Sequence, residues 1–260
     1  MRPNKIRELL KADKPTLGTH VHSTWLATVE AVGHSGMFDY IEFVAEYAPF
    51  DLYVLDNFCR TCELYGLSSM IKVDQEPRIS MAQRAIGAGF QSVLYADVRS
   101  VEDARQCVRI ARPETPEAGG LHGVAMRRSA YMRHGGTPEY VQYLREIVVV
   151  LMIEKQSAVE HLEEILSVPG VDMIQWGPVD YSMSVGMPGQ RDAPEIKAVE
   201  KRVFETAIRM GVPPRCEINS PDQAKHYLDM GVRHFCVGTD LVVWYDRCRK
   251  TGAAMREALR

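Results

Sequence analysis

Two nearby runs, 147-IVVVLMIEK-155 and 172-DMIQWGPVD-180, decide the fold. Ile147 to Ile153 form an unbroken apolar run of strand length that stops at Glu154. A parallel strand buried on both faces requires such a run. The second run is again short and apolar, and it ends in Gly177-Pro178-Val179-Asp180. Between them, residues 158–167 have amphipathic helical spacing. Strand, helix, strand in that order is a βαβ unit, whose two strands lie parallel with the helix crossing over one face.

Working outward, the same alternation covers the chain. Strands are predicted over 17–22, 38–45, 69–73, 92–96, 147–153, 172–176, 215–218 and 234–237. Helices are predicted over 25–32, 52–65, 80–88, 101–112, 158–167, 196–210 and 223–230, with a last one from about 241. Gly87, Gly89, Gly170, Gly211 and Gly231 stand at or just past helix ends, where glycine stops a helix. Eight such repeats in 260 residues fit a closed (β/α)8 TIM barrel forming a single domain over 1–260, rather than an open sheet. The one long irregular stretch, 113–137, is rich in Gly and Pro. Such loops commonly serve as lids or partner contacts.

Composition narrows the function. The chain is 46% apolar and 25% charged, with a formal net charge of −3. No basic field is available for nucleic acid or a membrane surface, and no apolar run reaches the roughly 20 residues that span a bilayer. Residues 1–10 carry Lys5, Arg7 and Glu8 without an apolar core, so export is not expected. The six cysteines are spread through helices and strands, which fits reduced thiols in a cytoplasm. Cys59 and Cys62 form a C-x-x-C that no second pair or flanking histidine completes, so they read as two small residues on one helix face.

In a barrel of this kind, catalytic groups sit where strands end and βα loops begin. That rule selects Glu154 and Asp180, which are 26 positions apart, about one repeat, and so belong on neighbouring strand ends. Two convergent carboxylates suit a hard cation such as magnesium or manganese. The same pair could instead cap helices or pair with nearby bases. The Gly177-Pro178 turn could offer free amides to a substrate carboxylate, or be a tight turn with no ligand.

At these residues the sequence resembles the HpcH/HpaI aldolase family, of the metal-dependent 4-hydroxy-2-oxoheptanedioate aldolase type. The resemblance runs nearly end to end. It rests on Gly18-Thr19, Glu30, Phe38-Asp39-Tyr40, Glu46 with Ala48-Pro49, Ile153-Glu154, Val168 to Asp172, Gly177 to Ser182, Ser184-Val185-Gly186 and Gly238-Thr239-Asp240. It implies that Glu154 and Asp180 hold a divalent ion (magnesium or manganese, with cobalt as a further option). Pyruvate would bind that ion, which would act as a Lewis acid on the enolate formed when a C–C bond breaks. The implied reaction cleaves or forms a 4-hydroxy-2-oxo acid from pyruvate, or a close analogue, and an aldehyde. The resemblance also implies a homo-oligomer, dimer to hexamer, with the last helix exchanged between subunits. Trp244 and Tyr245 would be interface anchors on it, or equally core residues.

The sequence departs from the family inside the expected site. Tyr47 replaces the family's histidine, Lys72 its arginine and Met152 its glutamine. Gly87 stands for its aspartate, and His122-Gly123 for the arginine-glycine of the long loop. Tyr47, Lys72 and His20 are therefore the candidate catalytic residues, and Lys72, Gly177 and Pro178 the candidate substrate contacts. His20 and His22 alternate on the first strand, which points both toward the barrel interior and makes either a candidate base. Lys72 also admits a Schiff-base mechanism without a metal. Two other functions compete: a barrel that binds a 2-oxo acid without turning it over, and a citrate-lyase-like lyase acting on an acyl-CoA.

Overall fold

The computed structural model describes residues 2–124, 128 and 132–260. Eight parallel strands close in chain order: β1 (Thr16–Val21), β2 (Tyr40–Val44), β3 (Ser68–Val73), β4 (Ser92–Tyr95), β5 (Val148–Ile153), β6 (Met173–Trp176), β7 (Pro214–Ile218) and β8 (His234–Thr239). β8 returns to β1, with Thr16 beside His234 and Gly18 beside Cys236. The expected barrel is the observed one.

Strand alternation divides the interior into two layers. Outward residues such as Ile41, Phe43, Ile71, Val149, Leu151 and Ile174 form a large core with the surrounding helices. Lumen-facing Tyr40, Met70, Leu94, Val148, Val150, Met152 and Met173 form a second, smaller core. Gly18 is small for a steric reason, because a Cβ there would lie 2.2 Å from the Tyr40 ring that crosses the lumen.

The connecting helices are α1 (Lys5–Lys11), α2 (Ala27–Ser35), α3 (Leu52–Leu64), α4 (Arg78–Ala88), α5 (Val101–Ala111), α6 (Pro138–Arg145), α7 (Gln156–Glu160), α8 (Leu162–Leu166), α9 (Pro178–Ser184), α10 (Pro194–Arg209), α11 (Ala224–Asp229) and α12 (Asp240–Ala258). The sequence reading did not foresee α1. Its Ile6 is buried in the lumen core and Leu10 packs on it, so the helix plugs the barrel floor. Asn4 caps it by accepting from the Arg7 amide.

The segment 113–137 includes residues 125–127 and 129–131, which lie outside the described ones. What is described folds back on the C-terminal end of α5: Leu121 N donates to Arg109 O and His122 N to Arg112 O. Arg128 reaches Glu63 and the Ala88 carbonyl at the ends of α3 and α4. These contacts are at the barrel floor, so the described part of this loop is no lid over the chain's own mouth. His122, compared above with a family arginine, is buried there, and its ring is pushed down to about 4 by burial.

All six cysteines are free, and Cys59 and Cys62 are buried on α3. No helix among the described residues is long and apolar enough to cross a membrane.

Candidate active site

A pocket of about 240 Å³ opens at the C-terminal ends of the strands, and Tyr47, Lys72, Glu154, Gly177, Asp180 and Glu217 are among its walls. The fold brings these together because each lies at the C-terminal end of a strand or in the loop or first helical turn that follows it. Pro178 is also on the wall and opens α9, with Gly177 as its cap and Asp180 in its first turn.

Glu154 follows β5 directly. Its Oε1 accepts the Asp97 amide at 2.7 Å. Its other face lies against Gly177, where a Cβ would come 2.5 Å from Oε2 and 2.7 Å from the Glu154 Cβ. Burial pushes this carboxyl up to about 7; the Asp97 amide and Lys72 oppose the shift, and the charges of Asp180 and Asp97 add to it. Asp97 adopts φ +56°, uncommon for a non-glycine residue. Lys155 bridges outward, with Nζ 2.5 Å from Asp97 Oδ1 and 2.9 Å from Asp180 Oδ1. The pairing of Asp180 with a nearby base, left open by the sequence, is therefore present.

On the opposite wall, the Lys72 amine pairs with Glu46 and donates to the Tyr47 hydroxyl at 3.3 Å. Burial alone would lower the lysine; the Glu46 carboxylate outweighs it and keeps the amine protonated. A protonated amine is a poor imine nucleophile, which weighs against the Schiff-base route. Burial raises the Tyr47 phenol, with Lys72 offsetting it only in part. The shift favours the protonated phenol, whose hydroxyl can donate a hydrogen bond.

His20 does not line this pocket. It is buried in the lumen, with Nε2 3.3 Å from Glu42 Oε1 and Nδ1 3.2 Å from Glu217 Oε1. Burial favours its neutral ring, but Cys236, Glu42 and Glu217 outweigh it and raise its pKa well above the ordinary imidazole value, while Arg215 Nη2 lies 3.2 Å from Nε2. His22 departs from the alternation argument. β1 ends at Val21, and the His22 ring turns to Asp240 at the start of α12, Nδ1 to Oδ1 3.3 Å.

The sequence reading missed the charged half of the lumen. Arg215 and Glu42 form a fully buried pair. Arg215 Nε also donates to the Tyr40 hydroxyl at 2.7 Å, and Nη1 reaches Gln175. Two charges at alternate positions of 214-PRCEI-218, in an otherwise buried parallel strand, were the available signal. Among the described residues, His20, Glu42 and Cys236 are the one group of three such side chains whose ligand atoms lie within 4.8 Å of one another. Arg215 already supplies a fixed cation there, so a metal would add positive charge to an occupied place.

The chain matches the model of the HpcH/HpaI aldolase/citrate lyase family over residues 57–245. It is 29% identical to a 5-keto-4-deoxy-D-glucarate aldolase of Klebsiella pneumoniae over 98% of each chain. It is 27% identical to a 4-hydroxy-2-oxo-heptane-1,7-dioate aldolase of Escherichia coli, over 91% of this chain and 89% of that one. The crystal structure of an HpcH/HpaI aldolase from Desulfitobacterium hafniense shares the fold, with a TM-score of 0.87 at 24% identity over 98% of each chain. The chain belongs to the HpcH/HpaI aldolase/citrate lyase family and is an enzyme of the aldehyde-lyase class.

Proposed function

We propose that this enzyme is a divalent-metal-dependent aldolase that cleaves or forms a 4-hydroxy-2-oxo acid from pyruvate, or a close analogue, and an aldehyde. The observation that carries the reading is the pair Glu154 and Asp180 at neighbouring strand ends, facing one pocket. Their oxygen-only donor set fits a hard cation such as magnesium or manganese, and Glu154 lies in a cradle that any side chain at residue 177 would fill. A cation bound there supplies Lewis acidity to the carbonyl of a 2-oxo acid.

The chain's own residues do the rest. Lys72 adds a fixed positive charge beside the place where enolate charge develops. Tyr47 donates a hydrogen bond from the same wall. The Gly177-Pro178 turn, at the start of α9, orients the acid's carboxylate. His20, in the lumen behind the pocket, reaches substrate only through Glu217. The relatives named for 5-keto-4-deoxy-D-glucarate and 4-hydroxy-2-oxo-heptane-1,7-dioate support a keto-acid substrate.

Exchange of pyruvate C3 protons in deuterated water tests the reading. Manganese-dependent exchange abolished by EDTA supports an aldolase. Tight, EDTA-sensitive pyruvate binding without exchange would contradict it.

Gly177→Ala should push the Glu154 carboxylate aside. We expect manganese affinity to fall by about 10-fold or more, read by paramagnetic titration with the fold intact by circular dichroism.

We further propose a homo-oligomer. α12 has no buried residue, and Leu241, Val243, Trp244 and Tyr245 on it are exposed. The outer face of β8 and β1, where a closing barrel helix would pack, is instead an apolar groove of about 590 Å³ lined by Leu17, Phe38, Ile218, Leu228, Phe235 and Val237. A second copy's α12 would bury both surfaces. Trp244→Asp with Leu241→Asp should shift the mass measured by light scattering to that of one chain. An unchanged mass would remove α12 from the interface. The unpaired cysteines suit a cytoplasmic location.

A further inference from the structure

The charged half of the lumen reaches the pocket through one side chain. Glu217 is 42% exposed, whereas the lumen residues around it are nearly closed to solvent: Arg215 at 0%, Gln175 at 1% and His20 at 5%. Its carboxylate is fixed from behind. Gln175 Nε2 donates to Oε2 at 3.1 Å, and His20 Nδ1 lies 3.2 Å from Oε1. His20 is anchored in turn by Glu42, and Glu42 by Arg215. On its remaining side Glu217 faces a pocket whose walls also carry Glu154, Asp180 and Asn219 and the cations Lys72, Arg191 and Lys197.

We propose that Glu217 is a specificity-determining residue, a carboxylate acceptor that hydrogen-bonds a hydroxyl on the aldehyde portion of the substrate. The inference rests on the aldolase reading above and adds the chemical class of the second substrate: a hydroxylated aldehyde. Three features carry it. An ionised carboxylate accepts hydrogen bonds and cannot donate them, so it needs a donor. An apolar aldehyde would strip its water without replacing the hydrogen bond. Fixed placement from behind lowers the ordering cost of that hydrogen bond. His20 acts through Glu217 and is a positioning residue.

The test is a panel of acceptors condensed with pyruvate in the presence of manganese: glycolaldehyde and glyceraldehyde, acetaldehyde and propanal, and glyoxylate. Pyruvate C3 exchange in the wild type is run beside it. The wild type should favour glycolaldehyde over acetaldehyde in kcat/KM on the order of 10²-fold. Glu217→Leu should bring that ratio to within about 3-fold of unity. If loss of the carboxylate unsettles the lumen, the isosteric Glu217→Gln keeps one acceptor oxygen, shared between Gln175 and the substrate, and replaces only the oxygen facing His20. It should lower the ratio several-fold. Wild-type preference for propanal or glyoxylate overturns the proposal, as does an unchanged ratio in both variants. Absence of C3 exchange in the wild type overturns the aldolase reading itself, and the assignment of Glu217 with it.

Discussion

Glu154→Gln lowers kcat/KM by about 10³-fold or more and weakens manganese binding in parallel. The amide keeps the size of the side chain and can still accept the Asp97 N–H that Glu154 Oε1 accepts at 2.7 Å. The fold should therefore survive. What is lost is one of only two carboxylates assigned to the cation, and with it the charge that holds a hard ion among oxygen ligands. Removing an electrostatic group of this kind from an active site costs 10²–10³ on its own, and losing the cation adds to that. Steady-state kinetics across a manganese titration read both effects. Wild-type activity in this variant would remove the metal assignment.

Arg215→Leu should have the largest effect on stability. Its guanidinium and the Glu42 carboxylate are both fully buried, and Tyr40 and Gln175 also depend on it. Removing one partner of a buried pair leaves an uncompensated charge, which costs about 3–5 kcal/mol. For a chain of this size that lowers Tm by on the order of 10 °C. Glu42→Leu together with Arg215→Leu removes both charges and should recover much of the loss. A single variant within about 1 kcal/mol of the wild type would mean that the pair is screened or hydrated.

The same pair sets an acid limit. Burial would raise the Glu42 carboxyl, but Arg215 first, and then His20, outweigh it and hold it down from the ordinary 4.5 to about 2. A depressed carboxyl contributes stability that is fully present above the unfolded value and disappears as pH falls through the folded one. Chemical denaturation should therefore show stability falling as pH drops from about 4.5 towards about 2. That slope should be shallower in the Glu42→Leu, Arg215→Leu double variant.

The barrel was legible because strands buried on both faces read as continuous apolar runs, and β5 is the plainest of them. α1 was not legible: seven residues with two lumen contacts, Ile6 and Leu10, give too short a period to separate from a polar leader. The helix expected over 158–167 is two short helices, α7 and α8, broken at His161. Glu154 stood out because a carboxylate ending an apolar strand is conspicuous, and Asp180 because it closes a Gly-Pro turn. Lys155 and Asp97 did not, since their contact is lateral, between two strand ends far apart in sequence. His20 was seen, but not its depth. Which lumen layer a residue occupies depends on barrel register, here His20 beside Glu42, and one strand's sequence does not carry that information.

A crystal soaked with manganese and pyruvate, read by anomalous scattering, tests the central claim most directly. One peak should lie within about 2.2 Å of carboxylate oxygens of both Glu154 and Asp180, with Lys155 released from Asp180. A peak among His20, Glu42 and Cys236 instead, or none with the Lys155–Asp180 pair intact, would contradict it.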